Sequence, residues 1–270
     1  MCNKIAIVVG GSSGIGFKTA MGLCREGYFV YNLSRTSAVI CEGCVPNLKN
    51  ITCDVESECD VSLAIADIIA LERRIDALVY SAGVSLAAPL EFTTESDFRR
   101  IFEVNYFGFI KALWAVLPVM RNQREGRIVA VSSLAGQMPV PFDAPYSAAK
   151  AALDITLRTL DIELKPYNIK VTGIAPGGVC TDFTFKRKVY PSSQIGEYCE
   201  ALDKAACKLA NIEQGGLDPC VVADTIVELL KSKKPPCSCS VGVGNKATRL
   251  AQKLLPRVLT DRINARVYEQ

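Results

Sequence analysis

Short runs of Val, Ile, Leu and Ala that end in glycine or serine recur along this sequence, and a segment of helical periodicity follows most of them. Apolar runs of this kind are typical of strands that are buried on both faces of a parallel sheet. The sequence predicts about seven strands, at residues 5–11, 28–33, 50–55, 75–83, 127–133, 169–178 and 239–244. Helices are predicted at residues 14–26, 57–72, 95–122, 146–165, 192–210, 218–232 and 246–268.

This alternation predicts an α/β fold, a Rossmann-type doubly wound parallel sheet with helices on both faces. No linker or internal repeat interrupts it, so residues 1–270 are predicted to form a single domain. A segment at about 182–215 is predicted to cover the substrate, and a helical extension is predicted at about 246–268. Ligands of such sheets bind beyond the carboxyl ends of the strands. Those ends are rich in Gly, Ser and Asp in this chain.

The chain contains no histidine. This excludes Ser-His-Asp and Cys-His catalysis and most catalytic zinc sites, so proton transfer has to use Tyr, Lys, Asp, Glu or Cys. Twelve cysteines are scattered along the chain, and Cys41-x-x-Cys44 and Cys237-x-Cys239 could be metal or redox pairs. Such a pair without histidine is a weak signal, so we expect reduced thiols and no metal.

Charge and hydropathy indicate where the protein works. The net charge of +3 is interspersed, which does not indicate a nucleic-acid surface. The apolar run at the start is too short for a signal peptide. The longest apolar stretch, residues 107–120, contains Lys111 and falls short of the roughly 20 residues that span a bilayer. We therefore expect a cytoplasmic protein with no membrane span.

A glycine-rich loop, VVGGSSGIG at residues 8–16, leads from the first predicted strand into the first predicted helix. Gly10, Gly14 and Gly16 allow a tight turn, close approach of the backbone to a pyrophosphate, and close packing of the helix on the strand. The unpaired N–H groups at the helix N-terminus favour phosphate. The loop is predicted to bind a dinucleotide through Gly10, Ser12, Ser13, Gly14, Ile15 and Gly16.

The end of the second predicted strand indicates which dinucleotide binds. NAD sites usually place an acidic residue there, against the adenosine ribose. This chain has Leu33-Ser34-Arg35 instead. Arg35 can hold a 2′-phosphate and Ser34 can add a hydrogen bond, which favours NADP(H) as the cofactor. The alternative is that Arg35 is a solvated loop residue.

Tyr146 and Lys150 stand one helical turn apart in the segment PYSAAKAAL, residues 145–153. Residues four apart on a helix share a face, with Cβ atoms roughly 6 Å apart. Taken alone, the two residues could be a packed surface pair. They could also be a phenol whose proton the neighbouring ammonium makes easier to remove.

Together with the loop, this pair gives residues 4–244 a strong resemblance to the short-chain dehydrogenase/reductase superfamily, in its one-domain branch. The loop matches the GxxxGxG motif, and Tyr146 and Lys150 match the YxxxK signature. Ser133 lies thirteen residues before the tyrosine, as the catalytic serine of the family does. Asn105 matches the helix asparagine of the family's catalytic tetrad.

The resemblance also implies cofactor contacts beyond the loop. Asp54, at the end of the third predicted strand, would contact the adenine, and Val55 beside it would also contact the cofactor. The further implied contacts are Ser81, Ala82, Gly83, Tyr146, Lys150, Pro176, Gly177, Val179 and Thr181. The chain departs from the family pattern at Val9, where Thr is usual, and at Tyr80 and Ser81, where the family has two asparagines.

The mechanism that the resemblance implies interconverts a ketone and a secondary alcohol. Tyr146 gives its proton to the substrate oxygen during reduction, or takes it during oxidation. A free phenol has a pKa of about 10, and Lys150 beside the oxidised nicotinamide would lower that pKa. Ser133 would hold the substrate oxygen, and Asn105 would anchor a water that links Lys150 to solvent.

Apolar residues on both sides of the catalytic tyrosine indicate a lipophilic substrate, such as a hydroxysteroid or a long-chain or ring ketone. The predicted substrate contacts are Ser133, Gln137, Met138, Phe142, Tyr146, Phe183 and Phe185. The basic run at residues 186–188 could attract an anionic group or could be a solvated loop. The resemblance further suggests a homodimer or homotetramer, with helices 95–122 and 146–165 as the shared faces.

The C-terminal extension is predicted to be amphipathic. The apolar residues that can share one face are Leu250, Leu254, Leu255, Val258, Leu259 and Ile263. The face could pack on the protein itself, over the substrate mouth; it could contact another subunit; or it could rest on a membrane surface. Packing on the protein itself is expected.

The sequence therefore favours an NADP(H)-dependent ketone reductase or secondary-alcohol dehydrogenase, with hydroxysteroids as an example of its substrates. A 3-oxoacyl-thioester reductase is the alternative within enzymes, which the basic run would suit. An NADP(H)-sensing regulator that has kept the fold and lost the chemistry is the alternative outside enzymes.

Overall fold

A computed structural model describes residues 4–36, 45–256, 258–260, 262, 265 and 266. Cys41 and Cys44 of the CxxC pair lie outside the described residues. The strands are β1 (Lys4–Val9), β2 (Tyr28–Ser34), β3 (Leu48–Thr52), β4 (Ala77–Tyr80), β5 (Leu86–Ala87), β6 (Gly126–Val131), β7 (Ile169–Ile174), β8 (Lys188–Val189) and β9 (Ser238–Cys239). The α-helices are α1 (Gly14–Arg25), α2 (Glu58–Glu72), α3 (Glu95–Phe102), α4 (Gly108–Gln123), α5 (Ala144–Glu163), α6 (Cys199–Gln214), α7 (Pro219–Lys231) and α8 (Val243–Leu254).

Seven strands of the described chain form one parallel sheet, in the order β3-β2-β1-β4-β6-β7-β9. The chain builds outward from β1 to β3, returns to β4 beside β1, and then builds outward in the other direction. The predicted doubly wound fold class is thereby confirmed. Val9 pairs with Tyr80 at the carboxyl ends of β1 and β4, so the loops that follow these strands lie side by side.

The sheet is covered on both faces, which is why its central strands β1, β4 and β6 are mostly apolar. Successive strand residues point to opposite faces, and accordingly Ile7 belongs to the core with α2, α4 and α5, whereas Val8 belongs to the core with α1 and α7. All four residues of β4 are buried. The two cores fix the sheet between the helices, and the carboxyl edge of the sheet is left for ligands.

The predicted helix at 95–122 is interrupted in the structure. Helices α3 and α4 are separated by one π-helical turn, Glu103–Phe107. Among the described residues, one helical stretch, Glu95–Gln123, is long and apolar enough to cross a membrane by length and composition alone. Within its most apolar 18 residues, 44% are buried inside the protein. Phe109, Val116 and Met120 of α4 are fully buried against the sheet, as in a core helix of a globular protein.

The segment predicted to cover the substrate is only partly helical. Its β8 pairs with β5 in a separate two-stranded parallel sheet, with Leu86 opposite Lys188. Two 3₁₀ turns precede α6, which begins at Cys199 and not at residue 192 as predicted. The last strand is also shorter than predicted: it ends at Cys239, and Gly242, with a φ of 84°, is the N-cap of α8.

The first turns of the C-terminal helix α8 contact the rest of the protein, whereas the described apolar side chains near its end and beyond it are exposed. Asn245 and Thr248 of α8 line the cleft described below. Leu254 and Val258 are exposed. The side chain of Leu250 and all of Ile263 lie outside what the structure describes, so the predicted amphipathic face stays a prediction.

Candidate active site

A cleft of about 1000 Å³ runs along the carboxyl edge of the large sheet. The loop after β1 forms its floor, and the described contacts of that loop show why glycine is needed. Gly10 has a φ of 84°, and a Cβ there would overlap the backbone of Ala82. Gly14 has a φ of 55° and lies against Thr181. The loop residues that line the cleft are Gly10, Ser12, Ser13, Gly14 and Ile15.

Gly16 lies just outside the cleft wall. A Cβ at this position would overlap the carbonyl group of Gly10, so this glycine lets α1 pack closely on the end of β1. Ser13 is the N-cap of α1, and its hydroxyl makes no capping hydrogen bond. The first N–H groups of the helix therefore face the cleft without a side-chain cap, which is the arrangement that binds phosphate. The loop thus fits the pyrophosphate of a dinucleotide.

The far end of the cleft lies beyond β2 and β3. Arg35 is exposed at its rim, and the buried hydroxyl of Ser34 donates to the carbonyl oxygen of Thr36 at 2.8 Å. Asp54 accepts a hydrogen bond from the Glu56 amide at 3.0 Å. Ser34, Arg35, Asp54 and Val55 all line the cleft, as a site for the adenosine half of a dinucleotide requires.

The near end of the cleft carries the remaining predicted cofactor contacts. Ser81, Ala82 and Gly83 follow β4, and Pro176, Gly177, Val179 and Thr181 follow β7. Gly177 lies directly under α8, because a Cβ at this position would overlap the side chain of Asn245. The start of the C-terminal helix therefore forms part of the wall of the cleft.

Ser133, Tyr146 and Lys150 meet at the near end, where the Lys150 ammonium lies close to Gly83. The Ser133 hydroxyl lies next to the Tyr146 side chain. Ser133 is also the N-cap of a 3₁₀ turn, where its oxygen accepts from the Ala135 amide at 3.1 Å. The Lys150 ammonium lies 5.6 Å from the centre of the Tyr146 ring and donates to the carbonyl oxygen of Val131 at 2.8 Å. Both members of the YxxxK pair line the cleft.

Burial dominates the ionisation of the pair. It raises the pKa of Tyr146, and the neighbouring Ser133 hydroxyl opposes that rise. Burial lowers the pKa of Lys150 from 10.5 to about 8, against the influence of Asp154. The shift of Tyr146 therefore runs opposite to the lowering that the sequence predicts. That lowering refers to the protein with oxidised nucleotide bound, and it stays a prediction.

Asn105 lies within the π-helical turn and does not line the cleft. Its side-chain amide donates to the carbonyl oxygens of Val84 and Ile101, each at 2.8 Å, and its oxygen accepts from the Val84 amide at 3.3 Å. These contacts tie the turn to the segment after β4. The water relay to Lys150 is not among the described contacts of this side chain and stays a prediction.

The predicted substrate residues separate into two groups. Met138 and Phe183 line the cleft with the predicted catalytic residues, and the Phe183 ring lies 5.9 Å from that of Tyr146. Three others lie away from the cleft. Gln137 donates to Asp154 at 2.9 Å, Phe142 has a φ of 62° and packs toward Tyr198, and Phe185 is 77% exposed.

The sequence did not indicate several residues on the substrate side of the cleft. Ser85, Asp143 and Glu213 line it close to Tyr146. Asp143 directly precedes α5, where an aspartate usually signals a helix cap, and no local pattern marks the other two. The apolar residues that were also missed are Leu86, Leu209 and Ile212.

The basic run at 186–188 is only partly solvated: Lys186 and Lys188 are exposed and Arg187 is not. Arg187 is buried and forms an ion pair with Glu213. Lys188 pairs with Asp97 at 2.6 Å, and Lys186 lies 3.9 Å from Asp182. Within the residues that the structure describes, no group of three or more His, Cys, Asp or Glu side chains is placed to hold a metal ion.

The doubly wound sheet, its glycine loop and the Ser-Tyr-Lys group on one edge define the class of Rossmann-fold oxidoreductases. The family model for short chain dehydrogenases matches residues 4–189. The chain belongs to the short-chain dehydrogenase/reductase family.

Three known proteins illustrate this relationship. A 3-ketodihydrosphingosine reductase of Bacteroides thetaiotaomicron is 31% identical over 88% of this chain and 88% of its own. An NADPH-dependent 1-acyldihydroxyacetone phosphate reductase of Saccharomyces cerevisiae is 32% identical over 73% of this chain and 68% of its own. The crystal structure of a short-chain dehydrogenase from Streptomyces avermitilis superposes with a TM-score of 0.83 at 30% identity, covering 99% of this chain and 96% of its own.

Proposed function

We propose that this protein is an NADP(H)-dependent oxidoreductase that interconverts a ketone and a secondary alcohol on a lipophilic substrate. The observation that carries the proposal is the placement of Ser133, Tyr146 and Lys150 together in one cleft that starts at the glycine loop. These groups suit proton transfer to a carbonyl oxygen.

Each residue of this group has a distinct role in reduction. NADPH, when bound, supplies the hydride. The Tyr146 hydroxyl donates its proton to the substrate oxygen as negative charge develops there. Ser133 donates a hydrogen bond to the same oxygen and stabilises that charge. Lys150 then stabilises the phenolate that remains.

Two observations support NADP(H) over NAD(H). Arg35 lies at the rim of the cleft beyond β2, where its guanidinium can form charge-assisted hydrogen bonds to a 2′-phosphate. The yeast relative described above is NADPH-dependent by name. A carboxylate beside Arg35 would repel the 2′-phosphate, and the neighbouring Ser34 carries a hydroxyl instead of a negative charge.

Apolar side chains on the substrate side of the cleft support a lipophilic ketone. The residues concerned are Leu86, Met138, Val140, Phe183, Leu209 and Ile212. The names of two relatives, 3-ketodihydrosphingosine reductase and 1-acyldihydroxyacetone phosphate reductase, favour long-chain ketones alongside hydroxysteroids. The 3-oxoacyl-thioester alternative loses part of its support, because Arg187 is buried in an ion pair with Glu213 and Lys188 pairs with Asp97. Lys186 remains exposed in the cleft.

The test is oxidation of NADPH and NADH, followed at 340 nm, with steroid ketones, long-chain ketones and acetoacetyl thioesters. Turnover of a bulky ketone with NADPH is expected. Tyr146→Phe should lower kcat by about 10²- to 10⁴-fold and leave NADPH binding within about twofold, whereas the control Tyr167→Phe should change neither. Turnover that survives in Tyr146→Phe would contradict the mechanism. No turnover in a protein that binds NADPH would favour the sensor.

We also propose a homodimer or homotetramer that uses α4 and α5. Phe107 and Trp114 are exposed seven residues apart at the π turn and on α4, and Ile155 and Ile162 are exposed seven residues apart on α5. Residues at this spacing lie on one face of a helix. A cytoplasmic location stays a prediction from the sequence.

A further inference from the structure

A buried polar chain lies beside the catalytic tyrosine, and the proposed reaction does not use it. Arg187 donates from Nη2 to Glu213 Oε1 at 2.5 Å and from Nε to Ser85 Oγ at 2.9 Å. Ser85 donates in turn to Asp143 Oδ2 at 2.7 Å. All four side chains line the same cleft as Tyr146.

The buried polar chain of Arg187, Glu213, Ser85 and Asp143 contains two carboxylates and one guanidinium. The side chain of Arg187 is only 4% exposed and Asp143 is 3% exposed, so water screens their charges poorly. The nearby lysines have other partners: Lys188 pairs with Asp97, and Lys150 donates to the carbonyl oxygen of Val131. When both carboxylates are ionised, the buried chain has one negative charge in excess.

Asp143 is the member with spare hydrogen-bonding capacity. Both oxygens of Glu213 already accept bonds, from Arg187 and from the Thr184 hydroxyl at 2.7 Å. Asp143 accepts one strong bond from Ser85 and a long one of 3.4 Å from the Leu86 amide. An ionised carboxylate has about four acceptor positions, so Asp143 can accept from a further donor that enters the cleft.

The position of Asp143 relative to the reacting carbonyl is set by α5. Asp143 is the N-cap residue of this helix, but its side chain makes no capping bond and turns toward Ser85. Tyr146 follows three residues later in the same cleft, and the Asp143 carboxylate is close enough for its charge to raise the pKa of Tyr146. A substituent one or two bonds from the carbonyl that Tyr146 protonates can therefore reach Asp143.

We propose that Asp143, held by Ser85 and Arg187, binds an ammonium group next to the reacting carbonyl, so that the substrates are α-amino ketones with a long apolar chain. This inference rests on the proposed function and names its substrate class. The ammonium balances the excess negative charge of the buried chain and donates to the free positions of Asp143. The apolar chain then lies along Met138, Leu209 and Ile212.

The ionisation of Asp143 agrees with this role. Burial raises the pKa of Asp143 to about 7, while the hydrogen bond from Ser85 and the charge of Arg187 oppose the rise and Glu213 adds to it. A bound ammonium would favour the ionised form of Asp143, as an opposite charge at short distance does.

The test compares a long-chain 2-amino-3-ketone with the same ketone lacking the amine, each with NADPH. The wild-type protein should prefer the amino ketone by at least about tenfold in kcat/KM, the usual size of one charge-assisted contact. Asp143→Asn removes the charge and keeps an acceptor for Ser85. It should raise KM for the amino ketone about tenfold and change the plain ketone less than threefold. Asp203→Asn, on the exposed face of α6, is the control and should change neither.

Several outcomes would overturn the inference. Ammonium recognition would be contradicted if the wild type reduced both ketones equally well. It would also be contradicted if Asp143→Asn lowered kcat for both ketones alike, or if a 2-hydroxy ketone were reduced as well as the amino ketone. The first and third comparisons need no variant, so misfolding of Asp143→Asn would not block the test.

Binding of the amino ketone to NADPH-loaded Tyr146→Phe, measured by calorimetry with and without Asp143→Asn, separates this inference from the proposed function. If no ketone is turned over, this measurement still decides whether Asp143 binds the ammonium.

Discussion

The hydroxyl of Tyr80 occupies the space that a side chain at Gly108 would fill. From there it donates a hydrogen bond of 2.5 Å to the carbonyl oxygen of Val104, inside the π-helical turn that carries Asn105. The family usually has asparagine at the position of Tyr80. In this protein a larger side chain reaches across to hold the turn, and it can do so because residue 108 is glycine.

This relationship predicts a coupling between the two positions. Gly108→Ala should destabilise the protein by about 1 to 3 kcal/mol, the usual cost of overpacking. Tyr80→Phe should also destabilise it, because the buried carbonyl of Val104 loses its donor. In the double variant the loss should be smaller than the sum by more than about 0.5 kcal/mol, since the phenol oxygen that meets the new methyl group is gone.

Urea denaturation of the four proteins checks this prediction. Gly244→Ala is the control, because a Cβ at that helical position meets no atom of the described residues within 4 Å. It should leave stability unchanged or raise it slightly. Strict additivity of the two single losses would show that Tyr80 and Gly108 are independent.

Replacement of Arg35 should change the nucleotide preference. A charge-assisted contact to the 2′-phosphate contributes about 1.5 to 3 kcal/mol, so Arg35→Ala should weaken NADPH binding about 10- to 100-fold. NADH binding should change less than threefold. Fluorescence titration with both nucleotides measures this, with Arg99→Ala, an exposed arginine on α3, as the control. Equal weakening of both nucleotides would contradict a role for Arg35 at the 2′-phosphate.

The buried ammonium of Lys150 predicts a pH dependence of stability in the protein without nucleotide. Burial lowers its pKa in the folded protein from 10.5 to about 8, so between these values the unfolded chain binds a proton that the folded chain does not. Stability from this group therefore rises with pH through that window. The full difference is about 3 kcal/mol at 1.36 kcal/mol for each pKa unit.

Comparison with Lys150→Met isolates this contribution, because the other titrating groups are common to both proteins. The free energy of unfolding of the wild type, minus that of the variant, should increase between pH 8 and pH 10.5. Denaturation at several pH values measures it. A difference that stays constant, or that shrinks as the pH rises, would contradict the assigned effect of burial.

The proposed assembly predicts the effect of a charge on the α4 and α5 faces. Trp114 is 64% exposed, and Trp114→Glu should convert a dimer or tetramer to monomers because a charge cannot be buried unpaired in an interface. Leu71→Glu, at an equally exposed leucine of α2, should leave the assembly intact. Sedimentation velocity distinguishes the species. A wild-type protein that is already monomeric, or a Trp114→Glu protein that still assembles, would contradict the proposed interface.

The sequence by itself determined those features of this protein that depend only on residues close together in the sequence. Alternating apolar strands and helices predict the doubly wound sheet, and β1 lies within one or two residues of the predicted position. The glycine loop and the Tyr146–Lys150 pair are local too, since each is set by one turn or one helix. Ser133 and Tyr146, thirteen residues apart, are brought together by the short connection between β6 and α5.

The interruption of a helix and the orientation of side chains near the site could not be predicted from the sequence. The periodicity of residues 95–122 continues through the π turn, so nothing local marks it. The direction of a side chain near the site was equally hidden, as Gln137 and Phe185 point away from the cleft although their neighbours Met138 and Phe183 line it. Packing decides such directions, and packing involves elements that are remote in the sequence.

The tertiary structure alone decided the buried polar chain of Arg187, Ser85, Asp143 and Glu213. Arg187 and Ser85 are 102 residues apart, and Ser85 and Asp143 are 58 residues apart. Whether a charged residue is solvated or paired depends on which elements the fold brings against it, and for Arg187 these are the segment after β4 and helix α6. A sequence pattern carries the local preference of each residue, whereas the partner of a buried charge is fixed only when the strands and helices have packed.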